Sequence, residues 1–126
     1  MPVTFEFAES GTCLVSASGS VTYEEVEDVI GLLLADDRMR SGARILADCR
    51  YVASAPATAE LKSIAHDLSP LVQRGMGPVA VVTDSIVVYG IARMFSVFAE
   101  AFRARVMPFR CFEDARSWLE TESRAA

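Results

Sequence analysis

Apolar and polar residues alternate from Val3 to Ala8, the period of a half-buried strand. Glu9-Ser10-Gly11-Thr12 supplies a turn, and Cys13 to Ser18 reads as the returning strand of a hairpin. Thr22 and Glu25 have capping-box spacing, and Val26, Val29, Ile30 and Leu33 follow at helical intervals. That helix is expected to end near Asp36-Asp37, before a loop at Gly42. Arg44 to Asp48 reads as a short strand. Leu61, Ile64, Ala65, Leu68, Leu71 and Val72 then hold one helical phase across Pro70, so the proline is expected to bend one helix rather than divide it, with Gly75 as the stop. Pro78 to Thr83 is a continuous apolar run, as in a strand covered on both faces. A further strand is expected from Arg105 to Arg110, and a last amphipathic helix carries Ala115, Trp118 and Leu119, with a tail that frays from about Thr121.

The resulting order is β-β-α-β-α-β-α-β-α. Alternating strands and helices imply an α/β fold with a mainly parallel five-stranded sheet, right-handed crossovers and one antiparallel edge strand. Residues 1–126 form one expected domain, long enough for a real core.

The stretch from Ser85 to about Arg105 departs from an ordinary surface helix. At about 100° per residue, its polar residues Ser85, Arg93, Ser96, Glu100 and Arg103 fall within an arc of roughly 80°. Ile86, Val87, Val88, Ile91, Met94, Phe95, Val97, Phe98 and Phe102 occupy most of the remainder. A helix resting on a sheet needs a narrower apolar stripe than this. The excess is expected to meet a ligand, a lipid surface or a partner chain.

Composition narrows the alternatives. The net charge is −5, and Lys62 is the one lysine among twelve basic residues, which argues against nucleic acid as a partner. Met1-Pro2-Val3-Thr4-Phe5-Glu6 lacks the basic and apolar regions of a signal peptide, and no apolar run is long enough to span a bilayer. Cys13, Cys49 and Cys111 are odd in number and contain no CxxC pair, consistent with free thiols in a reduced cytoplasmic setting. His66 is the single histidine, so no metal site is expected, and no cofactor fingerprint appears. A serine-elbow hydrolase motif is absent as well. Cys49, beside Asp48, and Cys111, at an expected helix start, read as structural rather than nucleophilic, Cys111 as a small packing residue. Gly75-Met76-Gly77-Pro78 precedes a strand instead of following one and reads as a turn, not a phosphate loop.

Four segments carry a family resemblance: Gly-Ser-Val-Thr-Tyr-Glu-Glu at 19–25, Leu-Ala-Asp-Cys-Arg at 46–50, Tyr-Gly-Ile-Ala-Arg-Met-Phe at 89–95 and Phe-Arg-Cys-Phe-Glu-Asp-Ala-Arg-Ser-Trp-Leu at 109–119. With the element order, they resemble the SpoIIAA-like proteins of the STAS-type superfamily, which have been compared with CRAL-TRIO lipid-transfer domains. The resemblance covers nearly the whole chain and implies binding of an apolar small molecule or membrane surface more than catalysis. In the superfamily's anti-sigma-factor antagonists, a phosphorylatable serine opens the helix after the third strand, within a pattern like Asp-x-Ser-x-Val-x-x-x-Asp-Ser-Ser-Gly. Laying Asp48 and Val52 on that pattern puts Pro56, Ala57, Thr58 and Ala59 where Asp-Ser-Ser-Gly would stand. The phosphoacceptor position is thus alanine, and Thr58, one residue later, is the candidate phosphosite.

Ligands of open parallel sheets lie beyond the carboxyl ends of the strands. A pocket there would have a polar rim of Asp48, Asp84, Tyr89 and Arg93 and an apolar wall of Met94, Phe95 and Phe98, suited to a small amphiphile. The same residues also allow a plainer reading, in which Asp84 or Ser85 caps the helix, Asp48 pairs with Arg50 or Arg93, and the aromatics are core. The leading expectation is a non-enzymatic cytoplasmic binding module for an apolar molecule or lipid, with peripheral membrane contact through the helix at about 85–104. The alternative is a regulatory protein-interaction module of the anti-sigma-factor-antagonist type, lacking the usual phosphoserine, with a protein partner or a homodimer as its complex.

Overall fold

Five strands hydrogen-bond in the order in which the chain makes them. The structure is a computed structural model that describes residues 3–124. Met1, Pro2, Ala125 and Ala126, on which the readings of the N-terminus and tail partly rest, lie outside the described residues. β1 (Val3–Phe7) and β2 (Cys13–Ser20) form the antiparallel hairpin, and β3 (Ile45–Ser54), β4 (Val79–Val82) and β5 (Val106–Phe109) follow in parallel. Pro108 is accommodated because β5 lies at a sheet edge.

This order dictates where the helices go. Successive right-handed crossovers stepping in one direction place their helices on one face of the sheet. α1 (Tyr23–Leu34), α2 (Thr58–Asp67), α3 (Ser69–Gln73) and α4 (Ile86–Glu100) accordingly pack with Val3, Cys13, Ile45 and Val79. α5 (Phe112–Arg124) follows the last strand and covers the other face, where Ala115 and Leu119 meet Leu46, Ala80 and Val82. It remains helical beyond Thr121, where fraying was expected.

Local chemistry sets the ends of the elements. Thr22 and Glu25 close the expected capping box on α1: the Glu25 N–H donates to Thr22 Oγ1 at 3.2 Å, and the Thr22 N–H donates to Glu25 Oε1 at 2.9 Å. Gly75, at φ +95°, ends the helical segment, and a β-carbon there would stand 2.5 Å from Ser41 Oγ. Gly77 donates to the Ala43 carbonyl at 2.8 Å, so residues 75–78 are a turn pinned to the loop before β3.

Three elements depart from the sequence reading. β3 is ten residues long rather than ending at Asp48. Its pairing with β2 runs Ser16↔Asp48 and then Ser18↔Tyr51, leaving an extra residue on β3 around Cys49 and Arg50. The helix containing Pro70 divides at Leu68 into α2 and α3. Leu68 nevertheless stays in the right-handed region, and its N–H still donates to the Ile64 carbonyl at 3.1 Å, so the two pieces keep one apolar phase. α4 stops at Glu100 instead of about Arg105. Arg103 takes a left-handed φ of +64°, and the Ala104 N–H turns back to the Ala99 carbonyl at 3.1 Å. Phe102 therefore lies beyond the helix whose circumference it was expected to share.

Candidate functional site

α4 has two apolar faces with different surroundings. Ser85 caps it, its Oγ accepting from the Val88 N–H at 3.3 Å. The buried residues Val88, Ala92 and Ala99 face the sheet, and Ile91, Met94, Phe95 and Phe98 pack partly against the core. On the outer side, Ile86 is 78% exposed, Val87 71% and Val97 63%. Ile86, Gly90, Arg93, Val97 and Glu100 recur at helical spacing and are all exposed, forming one outward stripe. The monomer leaves this part of the helix bare.

Behind α4 lies a cavity of about 240 Å³ between the sheet and the four helices on that face. Its walls include Ala17 and Cys49 from the sheet, Val26 from α1, Leu61 from α2, and Val88 and Phe95 from α4. Every wall side chain is aliphatic, aromatic, methionine, proline or cysteine. The extra residue on β3 contributes directly. Ile45, Ala47 and Cys49 face this side by simple alternation, and the shift beyond Cys49 brings Val52 round to the same side. Burial, reinforced by the charge of Asp48, pushes the Cys49 thiol up to about 11, so it is a neutral part of the wall.

The expected site residues do not converge on this cavity. Asp48 is bound by Arg50, whose Nε and Nη2 both donate at 3.0 Å, and this hydrogen-bonded pairing holds the carboxyl below the usual range. Arg50 lies over the Phe112 ring of α5, 4.4 Å from its centroid, which places the pair across the sheet from the cavity. Asp84 is exposed, and its carbonyl accepts from Arg110 Nη2 at 3.1 Å. Tyr89 is half-buried under Arg110, and Arg93 is exposed on the outer stripe. Met94 and Phe98 pack among partly buried core side chains, with Lys62 Nζ 5.3 Å from the Phe98 ring centroid. Of the seven, only Phe95 lines the cavity.

Thr58 is exposed at the first position of α2, and Ala57 occupies the cap. Alanine offers no acceptor; the cap is closed from one side only, by the Ala57 N–H donating to Glu60 Oε1 at 2.9 Å. Cys111 is exposed, which corrects its reading as a packing residue: its position before α5 leaves it outside the helix's buried face. The sequence reading missed Val21, Val52 and Pro56 as cavity walls and did not separate Ile86, Val87 and Val97 as the bare side of α4.

A second, more open concavity of about 490 Å³ lies between α1 and the α2–α3 segment, lined in part by Glu27, His66 and Asp67. Tyr23 Oη donates to Asp67 Oδ2 at 3.4 Å, and His66 Nδ1 lies 3.2 Å from Asp67 Oδ1. Partial burial and the neighbouring Asp67 carboxyl raise the Glu27 pKa, while Glu27 and His66 beside it lower that of Asp67. Among the described residues, no group of three or more His, Cys, Asp and Glu side chains could hold a metal ion, and no helix is long and apolar enough to cross a membrane.

Comparison with known proteins places this geometry. An uncharacterised protein from Shewanella loihica PV-4, described as having a SpoIIAA-like fold, superposes with a TM-score of 0.62 at 17% identity, over 93% of this chain and 91% of that one. The anti-sigma factor antagonist SpoIIAA in its unphosphorylated form gives 0.59 at 10% identity, over 94% and 97% of the two chains. The Bacillus cell fate determinant SpoIIAA in its phosphorylated form gives 0.55 at 12% identity, over 93% and 98%. These likenesses establish the fold. No curated protein matches the sequence. The SpoIIAA-like family model matches residues 13–120, from the second strand to the last helix, and the chain belongs to that family.

Proposed function

We propose that the chain is a regulatory, non-enzymatic interaction module of the anti-sigma-factor-antagonist type that operates without a phosphoserine at the head of α2. The outer side of α4 carries this reading, since Ile86 and Val97 on the outward stripe, and Val87 beside it at the helix head, stay exposed on a helix already seated on its sheet. The SpoIIAA structures of matching fold, described in phosphorylated and unphosphorylated forms, support the regulatory side of it. Ala57 removes the acceptor from the cap and leaves Thr58 as the neighbouring candidate for modification. The complex is with a protein partner or a second copy of the chain.

Two measurements test this. Capture with the immobilised chain should retain a protein that the double variant Ile86→Asp, Val87→Asp does not, and purified components should then reproduce the interaction by calorimetry. A monomer by light scattering at high concentration removes the homodimer. Retention of the same proteins by both forms overturns the docking surface, and unchanged capture by Thr58→Glu removes the switch at that residue.

A specific observation favours a second reading, binding of an apolar small molecule or lipid: the wholly apolar cavity behind α4. Peripheral membrane contact would use the same helix, with Arg93 meeting an anionic headgroup. Native mass spectrometry and organic extraction of the purified chain should then reveal a bound apolar molecule, and Arg93→Ala should weaken attachment to anionic vesicles. Neither a bound molecule nor vesicle association would leave the interaction reading alone.

A further inference from the structure

We infer that the cavity is a site for a compact, wholly non-polar molecule, the size of a substituted single ring or a short branched hydrocarbon, entering between the heads of α1, α2 and α4. This rests on the ligand-binding reading above and narrows it to a chemical class.

Volume comes first. Close-packed interiors hold few voids larger than a water molecule, and an apolar cavity of roughly 150 Å³ is known to stay dry and accept benzene or xenon. The cavity of about 240 Å³ is larger. Wall chemistry comes second. No wall side chain carries a charge, an amide or a hydroxyl, and the Cys49 thiol is protonated. Strand pairing already engages backbone groups of the sheet side. A hydroxyl or carboxylate brought inside would exchange water for no partner. A fatty-acid anion, whose headgroup needs a cation or donors, is therefore a poor fit.

The direction of entry follows from exposure. At the amino end of the parallel strands Leu33, Ile45, Leu71 and Val106 are buried and close the floor. At the other end Val21, Val52, Ala55 and Pro56 are only half-buried. These four lie at the carboxyl ends of β2 and β3 and before α1 and α2, the end of the sheet where ligands of such folds enter. A closed floor limits length, so a long acyl chain is not accommodated in full.

The full chain is titrated with toluene, phenol, octane and octanoate, followed by thermal melting and by amide shifts at Ala47, Ala92 and Phe95. Toluene should raise the melting temperature and move those amides, phenol should bind at least tenfold more weakly, and octanoate should not bind. Ala47→Ile, which adds carbon to the cavity wall, should lose the toluene response; if it folds poorly, Ala92→Leu provides the same readout. Phenol within tenfold of toluene, or octanoate binding, overturns the non-polar class while leaving a ligand site. No response to any probe, in melting or in amide shifts, overturns this inference and the ligand-binding reading together.

Discussion

If the two faces of α4 serve different ends, the same kind of substitution should have opposite consequences on them. Ile86 is 78% exposed at the first position of the helix. Burying an isoleucine side chain completely is worth about 1.5–3 kcal/mol, so the fraction Ile86 covers contributes roughly 0.3–0.7 kcal/mol. An aspartate in the first turn regains about 0.3–1 kcal/mol from the helix dipole. Ile86→Asp should thus leave stability within about 1 kcal/mol of the parent, a few degrees in melting temperature for a domain of this size. Phe95 lines the cavity and joins two apolar clusters. Truncating a fully buried phenylalanine costs about 3–5 kcal/mol; Phe95 is partly buried, which lowers that figure, and a carboxylate among these apolar walls adds desolvation that restores it. Phe95→Asp should therefore lose at least about 3 kcal/mol, a large part of the 5–15 kcal/mol typical of a domain. Urea denaturation followed by circular dichroism measures both, and sedimentation or vesicle flotation of Ile86→Asp reports the outer face. A loss above about 2 kcal/mol for Ile86→Asp, or below about 1 kcal/mol for Phe95→Asp, refutes the division of the helix into a bare side and a packed side.

Other regions give independent tests. Because the Glu27 carboxyl titrates higher when folded, its contribution to stability is present at low pH and declines as pH rises through the folded value. Glu27→Gln should raise the melting temperature at pH 7 and lose that advantage at pH 4; a constant difference at both pH values would show that folding does not raise this carboxyl. Cys111 is exposed, whereas Cys13 and Cys49 are both pushed up to about 11, chiefly by burial. Iodoacetamide at pH 8 should accordingly label Cys111 first, with the order read by peptide mass spectrometry, and early labelling of Cys49 would contradict its place in the wall. Arg103→Gly should stabilise the chain by about 0.5–1 kcal/mol, because a left-handed φ strains arginine and not glycine. Chemical denaturation decides this, and a loss of stability would point to a contribution from the arginine side chain.

The sequence was informative wherever one element's pattern was enough. Alternation from Val3 to Phe7, the Thr22–Glu25 box and the apolar run of β4 each specify their local structure, and together they imply the parallel sheet. β3 was only half legible because its extra residue near Cys49 breaks the alternation that marks a strand. The end of α4 was hidden because an arginine, not a glycine, takes the left-handed position, and the apolar period continues to Phe102. The excess of apolar surface on the helix was readable, but its division was not: Ile86 and Phe95 are equally apolar, and only the neighbouring elements decide which is bare. The cavity was illegible for a related reason, since its walls come from all five strands and from α1, α2, α3 and α4, and no single periodicity records a space between them. Asp48 was placed on the rim by position along its strand, yet strand alternation and Arg50 turn it to the opposite face.

The start of α2 bears on where regulation can act. α1 and α4 begin with Thr22 and Ser85, each accepting a backbone N–H through its side chain. A serine at Ala57 would add about 1 kcal/mol of capping as well as an acceptor for phosphate. This chain has neither there, and Glu60 closes the turn from one side alone. A binding event sensed at the head of α2 would therefore have to act through Thr58 or through the cavity wall formed by Ala55 and Pro56, since Ala57 presents no reactive atom. Both routes lie at the carboxyl end of the sheet, where Val88 of α4 shares the cavity with those two residues and Ile86 and Val87 are exposed at the helix head. The head of α4 is thus the part of the fold where a change inside the cavity, at Val88, and a contact outside it, at Ile86 and Val87, bear on adjacent residues.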